Sequence, residues 1–233
     1  MKAMILAAGL GKRMRPLTDT LPKPLIPVRG KPLIAYHLEA LARAGITEVI
    51  INLAYRGAQI QEFVGDGSAW GLQVVYSQEP EPLETGGAIV HAAALLGSEP
   101  FILLNADIFT DFDFADLAKR GLTRGAQGHL VLVPNPDFKA EGDFSVQQGY
   151  LIARTGIDLG YTFAGMSVIN PGLVSRYLSA TPRFGLAQVF RSALALRQLT
   201  AQVYQGRWSD VGTPERLRLL NEIDSERPGA AAQ

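Results

Sequence analysis

The chain begins with the segment MKAMILAAGLGKRMRPLTDTLPKPLIPVRG (residues 1–30). Residues 1–8 are mostly apolar, which is typical of a buried β-strand. Gly9 ends this run, and the glycines and prolines up to residue 30 are too frequent for a helix, so a long loop is predicted. Loops of such length in compact domains are usually functional or disordered. Because this loop is highly charged and directly follows a buried strand, we expect it to carry function.

Beyond this loop, strand patterns and helix patterns alternate. The helix at 32–44 has a proline in its first turn and Gly45 after its last residue, which are favourable positions for these residue types. Four rounds of strand followed by helix predict an α/β fold with a Rossmann-like, mainly parallel sheet flanked by helices on both faces. The predicted segments are strands at 1–8, 48–53, 72–76 and 101–105, and helices at 32–44, 57–64, 85–96 and near 112–120.

The pattern changes after residue 120. Strand-like segments follow one another with little helix between them, and they predict mixed or antiparallel additions, such as a lid or a small side sheet. Neither a linker nor an internal repeat is visible, so we expect residues 1–224 to form one domain and residues 225–233 a flexible tail. The later segments are strands at 128–133, 143–147, 150–154, 161–169 and 200–204, and helices near 171–179, near 184–198 and from residue 214.

The composition excludes several classes of function. Lys plus Arg and Asp plus Glu both total 22, so the net charge is zero, which argues against nucleic-acid binding as the main function. The absence of cysteine excludes disulfides, iron–sulfur clusters and zinc–thiolate sites. No apolar run reaches the roughly 18 residues of a membrane span, and the first one is too short for a signal peptide. A cytoplasmic protein is therefore expected.

Positive charge is concentrated in the first 31 residues, which hold seven basic residues and one acidic residue. At the end of the predicted first strand, Gly9 and Gly11 allow backbone N–H groups to face an anion without a Cβ in the way. Arg13, Arg15 and Lys23 add charge to the same loop. Together these features predict a polyphosphate-binding site.

Two familiar phosphate motifs do not fit this loop. A dinucleotide-binding fingerprint needs a third glycine where the chain has Met14, and it opens directly into a helix. A Walker loop needs four residues between its first glycine and its Gly-Lys pair, whereas one residue separates Gly9 from Gly11. An NAD-binding dehydrogenase is therefore disfavoured.

Two aspartates lie where they could bind a metal. Asp107 comes just after the strand at 101–105, at the sheet edge that carries the glycine loop. Asp210 lies before a helix for which Thr213 is the expected N-cap. Mg²⁺ is usually bound by one or two carboxylates plus phosphate oxygens and water. Each aspartate alone is more often a turn or cap residue, so the residues by themselves leave this site open.

The sequences LAAGLGKRMRPLT (residues 6–18) and PKPLIPV (residues 22–28) together resemble the signature of the sugar-phosphate nucleotidyltransferases. WSDVGTP (residues 208–214) is a second match, and the resemblance covers the chain to about residue 224. It implies a GT-A-like nucleotidyltransferase fold, with a nucleotide-binding lobe at about 1–110 and a sugar-binding lobe at about 111–224. It also implies Mg²⁺-dependent transfer between a nucleoside triphosphate and a sugar 1-phosphate, with pyrophosphate released, by a monomer or small homo-oligomer without nucleic-acid or membrane partners.

The resemblance assigns roles to individual residues. Arg13 and Lys23 are expected to neutralise the α-phosphate and the departing pyrophosphate, and Asp107 and Asp210 to bind the metal; these four are the expected catalytic residues. Thr85 is expected to cap the helix after the base-binding loop. The expected nucleotide contacts are Gly9, Gly11, Lys12, Arg13, Lys23, Glu79, Thr85 and Gly86, and the expected sugar contacts are Asn105, Asp143 and Gly165.

The sequence constrains the identity of the base and of the sugar less than it constrains the type of reaction. If Glu79 contacts the base, its carboxylate accepts a ring N–H, which uracil, thymine and guanine offer and neutral cytosine does not. This favours UTP, dTTP or GTP over CTP. The chain has no Glu-Lys-Pro segment of the kind found in many glucose- or mannose-phosphate relatives, which counts against a simple hexose phosphate.

Three further segments narrow the resemblance within the family. They are most similar to the branch that transfers a uridylyl group to N-acetylmuramate 1-phosphate in peptidoglycan recycling. The lactyl carboxylate of that sugar needs a cation, and Arg154, Arg183 and Arg207 are the candidates. The segments are LETGG (residues 83–87), GDF (142–144) and RWSDVGT (207–213).

Alternatives remain within and outside this class. A mannose-1-phosphate guanylyltransferase or a glucose-1-phosphate thymidylyl- or uridylyltransferase shares most of these motifs. A catalytically inactive homologue that binds a nucleotide-sugar and regulates a partner is the alternative of another class. The presence of Arg13, Lys23, Asp107 and Asp210 argues against it.

Overall fold

The computed structural model describes residues 1–154, 160–177 and 181–222. The tail predicted at 225–233 lies outside these residues. Within the described ranges the strands are β1 (Ala3–Leu6), β2 (Pro27–Val28), β3 (Lys31–Pro32), β4 (Glu48–Leu53), β5 (Gln73–Gln78), β6 (Phe101–Asn105), β7 (Ile108–Thr110), β8 (Gly128–Val133), β9 (Phe144–Gln147), β10 (Tyr150–Ala153), β11 (Thr162–Ile169), β12 (Leu199–Val203) and β13 (Trp208–Asp210).

The α-helices match the predicted order. They are α1 (Leu33–Arg43), α2 (Gly57–Val64), α3 (Glu84–His91), α4 (Ala93–Leu96), α5 (Phe114–Arg120), α6 (Pro171–Ser175), α7 (Leu186–Ala195) and α8 (Pro214–Glu222). The single helix predicted at 85–96 is wrong, because two helices, α3 and α4, occupy this range. The loop predicted at 9–30 contains three short 3-10 helices and β2.

One nine-stranded sheet, in the order β5-β4-β1-β6-β11-β8-β12-β10-β9, forms the centre of the fold. The strands β5, β4, β1 and β6 are parallel neighbours. Next to them, β11 runs antiparallel between β6 and β8. The mainly parallel sheet with antiparallel additions is therefore confirmed. The additions extend the main sheet, and the small separate sheets are instead the pairs β2–β3 and β7–β13.

Both faces of the sheet are covered because its strands are apolar on both sides, as buried parallel strands usually are. On one face the core includes Leu38 of α1, Ile60 of α2 and Leu117 of α5. On the other face it includes Ile89 of α3 and Val189 of α7. The predicted helices on both faces are confirmed.

A third, smaller apolar cluster lies beneath the N-terminal loop. Met14, the residue that does not fit a dinucleotide fingerprint, is fully buried in it. The cluster joins this loop to β7 and to α8, so the loop is ordered by packing and not only by its own turns. Its buried members are Met14, Ile26, Val28, Leu33, Phe109, Val211 and Leu220.

Thr85 does not cap the helix for which it was predicted. The helix α3 begins at Glu84, with Leu83 as its N-cap, so Thr85 already lies in the first turn. Its hydroxyl instead accepts a hydrogen bond from the backbone N–H of Leu186, at 2.8 Å, and thereby caps the first residue of α7. The predicted cap at Thr213 is confirmed, since its hydroxyl accepts from the N–H of Arg216 at 3.3 Å.

No helix in the described ranges has both the length and the apolar character needed to cross a bilayer.

Burial of His37 makes stability depend on pH. Its ring lies on the inner face of α1, is only 2% exposed, and its Nε2 has no hydrogen-bond partner among the described residues. Desolvation lowers the pKa of His37 from 6.5 to about 4. The folded state therefore prefers the neutral ring. This contribution to stability is complete above pH 6.5 and is lost as the pH falls towards 4.

We expect this histidine to reduce the free energy of unfolding by up to about 3 kcal/mol between these pH values. Urea denaturation at a series of pH values measures the effect. A His37→Leu variant should show a shallower decline than the wild type. The exposed His91 supplies the control, because His91→Gln should keep the wild-type slope. Parallel curves for His37→Leu and the wild type would contradict the assignment.

Candidate active site

A cleft of about 450 Å³ opens at the carboxyl ends of the parallel strands. This is the edge at which open α/β sheets bind ligands. The ends of β1, β4 and β6 contribute Leu6, Asn52 and Asn105 to its wall. Seven of the predicted site residues line the cleft: Gly9, Lys12, Lys23, Glu79, Thr85, Asn105 and Asp107.

Lys23 and Asp107 form an ion pair inside the cleft. The Lys23 Nζ lies 2.6 Å from the Asp107 Oδ2, and the two side chains are 12% and 35% exposed. Because Lys23 is largely removed from water, its charge acts on nearby anions with little screening. The two residues lie far apart in the sequence, and the packing of the N-terminal loop brings them together.

Asp210 lies next to Asp107 through backbone pairing. In the antiparallel pair β7–β13, Asp210 is opposite Ile108, and the N–H of Val211 donates to the carbonyl of Asp107 at 2.9 Å. Asp210 is not part of the cleft wall described above. The structure therefore brings together the two acids that were predicted to share a metal, one inside the cleft and one beside it.

The carboxylate of Asp210 is only partly satisfied. Its Oδ2 accepts from Arg216 Nη1 at 2.9 Å, whereas its Oδ1 is buried without a hydrogen-bond partner among the described residues. A buried carboxylate oxygen without a partner is costly, and a bound cation would satisfy it. Two acids that are adjacent through backbone pairing suit Mg²⁺, which is usually held by one or two carboxylates together with phosphate and water oxygens. The residues present therefore fit this metal.

Asn52 is a site residue that sequence reasoning missed. Its Oδ1 accepts from the N–H of Ala7 at 2.8 Å, and its Nδ2 donates to Glu79 Oε1 at 2.7 Å. The other oxygen of Glu79 accepts from the N–H of Leu83 at 2.9 Å. This Asn52–Glu79 relay joins the end of the first strand to the predicted base-binding loop, residues 79–87, which is called the base loop below. The available signal was a polar asparagine near the end of the strand EVIINL, directly after three apolar residues.

The relay gives Glu79 protein partners at both oxygens. Glu79 is 3% exposed and still lines the cleft. Each carboxylate oxygen keeps a second lone pair, so the expected contact to the base stays a prediction. The direct effect of Glu79 in the structure is to fix the course of residues 79–83.

Among the described residues, Gly11, Arg13, Gly86, Asp143 and Gly165 do not line the cleft. The carbonyl of Gly11 accepts from the N–H of Met14 and from the hydroxyl of Thr18, so this glycine shapes the loop. Arg13 is exposed. Gly86 packs against Phe184. The roles assigned to these residues stay predictions.

Asp143 and Gly165 have clear structural partners. The carboxylate of Asp143 accepts from Lys139 Nζ at 2.6 Å and from the N–H of Phe163 at 2.9 Å. Gly165 has φ +77°, and a Cβ there would lie 2.9 Å from the side-chain nitrogen of Asn105. Gly165 therefore allows Asn105 to reach its place in the cleft wall.

Comparison with known proteins identifies the family. Residues 2–144 match the family described as nucleotidyl transferase. The chain belongs to this family. The nucleotidyltransferase is 45% identical to the N-acetylmuramate alpha-1-phosphate uridylyltransferase of Neisseria meningitidis, over 94% of this chain and 96% of that protein.

A more distant sequence relative and a solved structure of similar fold are also found. The mannose-1-phosphate guanyltransferase of Hypocrea jecorina is 31% identical over 92% of this chain, which spans 62% of that protein. A crystal structure of a Bacillus anthracis protein, provisionally assigned as a glucose-1-phosphate thymidylyltransferase, superposes with a TM-score of 0.86. It covers 99% of this chain and 98% of its own at 20% identity. This structural likeness confirms the predicted nucleotidyltransferase fold.

Removing the Asn52–Glu79 relay should weaken both the fold and nucleotide binding. An Asn52→Leu variant leaves the N–H of Ala7 and one oxygen of Glu79 buried without partners. We expect the free energy of unfolding of the nucleotidyltransferase to fall by about 3 kcal/mol. The KM for the nucleoside triphosphate should rise more than that for the second substrate, since the relay fixes the base loop.

Urea denaturation and steady-state kinetics measure the two effects. The matched control is Asn221→Leu, because Asn221 is exposed and accepts a hydrogen bond from the N–H of Arg29 outside the cleft. The control should keep the wild-type KM values. Wild-type stability and nucleotide KM in Asn52→Leu would refute the role of the relay.

Proposed function

We propose that this nucleotidyltransferase transfers UMP from UTP to N-acetylmuramate α-1-phosphate, giving UDP-N-acetylmuramate and pyrophosphate. The reaction requires Mg²⁺ and belongs to cytoplasmic peptidoglycan recycling. The observation that carries this proposal is the nearly full-length similarity to the meningococcal uridylyltransferase. The cleft supports it, because a desolvated lysine and two neighbouring acids occur beside a glycine-lined loop.

The N-terminal loop binds the triphosphate. Its backbone from Gly9 lines the cleft, and Lys12 and Lys23 supply positive charge there. Arg13, exposed on the same loop, neutralises part of the negative charge of the pyrophosphate as it departs. Fixed N–H groups and cations at a glycine-rich turn form a concave anion site of the kind that holds linked phosphates.

The base and the sugar contact the remaining walls of the cleft. The Asn52–Glu79 relay sets the position of the base loop, where Glu79 accepts the ring N–H of uracil. Asn105, which is both a donor and an acceptor, binds a sugar hydroxyl. The two substrates then meet between β1 and β6, whose ends are adjacent in the sheet.

The chemical step is an in-line displacement. A phosphate oxygen of the sugar 1-phosphate attacks the α-phosphorus of UTP, and the bond from that phosphorus to the oxygen bridging to the β-phosphate breaks. The electron pair of that bond leaves with pyrophosphate, so no covalent enzyme intermediate forms. Lys23 neutralises charge that develops on the phosphates. Asp107 and Asp210 would hold Mg²⁺, which would supply positive charge to offset the triphosphate and help to align the reacting groups.

The metal-binding role can be tested with a conservative change. Asp107→Asn keeps the size of the side chain and removes its charge, so we expect turnover to fall at least ~100-fold. Asp210→Asn should act in the same direction. The control is Asp113→Asn, because Asp113 is an exposed N-cap of α5 and asparagine caps equally well. Near-wild-type turnover of Asp107→Asn at saturating Mg²⁺ would refute the assignment.

A pyrophosphate-release assay tests the substrates. It crosses UTP, dTTP, GTP and CTP with the 1-phosphates of N-acetylmuramate, N-acetylglucosamine, glucose and mannose. We expect the highest kcat/KM for UTP with N-acetylmuramate 1-phosphate. Turnover of another pair, such as GTP with mannose 1-phosphate, without release from the expected pair would overturn the named reaction. An absence of release from every pair would favour an inactive regulatory homologue.

A further inference from the structure

The cleft wall contains a cationic side chain that does not come from the N-terminal loop (residues 9–30). Lys12 and Lys23 belong to that loop, whereas Arg183 reaches the cleft from the segment before α7. Of the three arginines considered for an acidic sugar, all within the described residues, Arg183 alone lines the cleft. Arg154 instead donates to the carbonyl of Glu141 at 2.7 Å.

The segment that carries Arg183 is fixed to the base loop. The carbonyl of Phe184 accepts from the N–H groups of Gly86 and Gly87 at 2.9 and 3.1 Å. The N–H of Phe184 donates to the carbonyl of Leu83 at 3.2 Å. These bonds add to the Thr85 cap of α7. Arg183 therefore projects from a backbone that is rigidly positioned against the site.

The two glycines allow this close approach. A Cβ on Gly86 would lie 2.4 Å from the ring of Phe184, and one on Gly87 would lie 2.2 Å from the carbonyl of Pro182. Any side chain at these positions would push the segment away. The Leu-Glu-Thr-Gly-Gly motif therefore also seats the segment that carries Arg183.

Glu84 holds one side of the Arg183 guanidinium. Its Oε1 lies 3.3 Å from Arg183 Nε, and both side chains line the cleft. Glu84 adopts φ +62°, a left-handed conformation that residues other than glycine rarely take. Nη1 and Nη2 make no hydrogen bond to the described residues. The guanidinium is thus oriented by Nε, and its two terminal nitrogens are available to a ligand.

We propose that Arg183 binds the carboxylate of an acidic sugar 1-phosphate and so determines the specificity for the sugar. This inference rests on the proposed function, in which the lactyl group of N-acetylmuramate supplies that carboxylate. A planar guanidinium matches a carboxylate through two parallel hydrogen bonds. With a sugar phosphate that lacks the lactyl group, Arg183 pairs only with Glu84. Such a sugar phosphate loses the contact between Arg183 and the carboxylate but keeps its other contacts.

The test compares two forms of the enzyme, each assayed with two sugar 1-phosphates. Arg183→Gln and the wild type are compared with N-acetylmuramate 1-phosphate and N-acetylglucosamine 1-phosphate, which differ by the lactyl group. We expect Arg183→Gln to lower kcat/KM roughly 10- to 100-fold for the first sugar, through KM. It should leave kcat/KM for the second sugar and the KM for UTP nearly unchanged. Isothermal titration calorimetry should show the same loss in binding of N-acetylmuramate 1-phosphate.

Two further variants make the result decisive. Arg183→Lys keeps the charge without the planar pair of donors, so it should retain part of the preference and shows whether loss of charge alone explains the effect. Arg191→Gln removes an exposed arginine from α7 and should behave as wild type. Melting curves confirm that each variant is folded.

The outcomes separate this inference from the proposed function. If the wild type neither binds nor turns over N-acetylmuramate 1-phosphate, the proposed function fails. If the wild type uses it and Arg183→Gln affects both sugars equally, or neither, the proposed function stands and the role of Arg183 is overturned. A loss confined to the sugar with the carboxylate supports the inference.

Discussion

In the antiparallel pair β7–β13, the N–H of Val211 donates to the carbonyl of Asp107 at 2.9 Å. This short pair joins the end of the parallel half of the sheet to a segment near the end of the described chain. Beneath it, Phe109 and Val211 pack with Met14 of the N-terminal loop. The position of both acids relative to the N-terminal loop therefore depends on one strand pair and on the apolar cluster that supports it.

Each acid in this arrangement already has a cationic partner. Lys23 pairs with Asp107, and Arg216 pairs with Asp210. Arg216 is itself held in place, because its guanidinium lies 3.3 Å from the centre of the Phe138 ring. These pairs offset the negative charge of the two acids and fix the orientation of their carboxylates. Lys23 is thus an ion-paired cation in the cleft wall and not an isolated buried charge.

Much of the fold could be predicted from the sequence because its signals are local. The strand EVIINL and the helix that ends before Gly45 can be predicted from the spacing of their apolar residues and from the residue types at their ends. The bounds of both were predicted to within one residue. The candidate site was harder to predict from the sequence. Asn52 acts through partners that are distant in sequence, which no local pattern reveals. For Asp143, the sequence shows a polar residue in a plausible segment but not the lysine and backbone N–H that already occupy its oxygens.

The base loop and the start of α7 form one hydrogen-bonded unit, and this limits how the site can change. Gly86 and Gly87 accept no side chain without displacing the segment that carries Arg183. Thr85 caps α7 while lining the cleft. A substitution that displaces residues 83–87 therefore also moves Arg183. Residues 83–87 and Arg183 are thus coupled structurally, since the same backbone hydrogen bonds position both parts of the cleft wall.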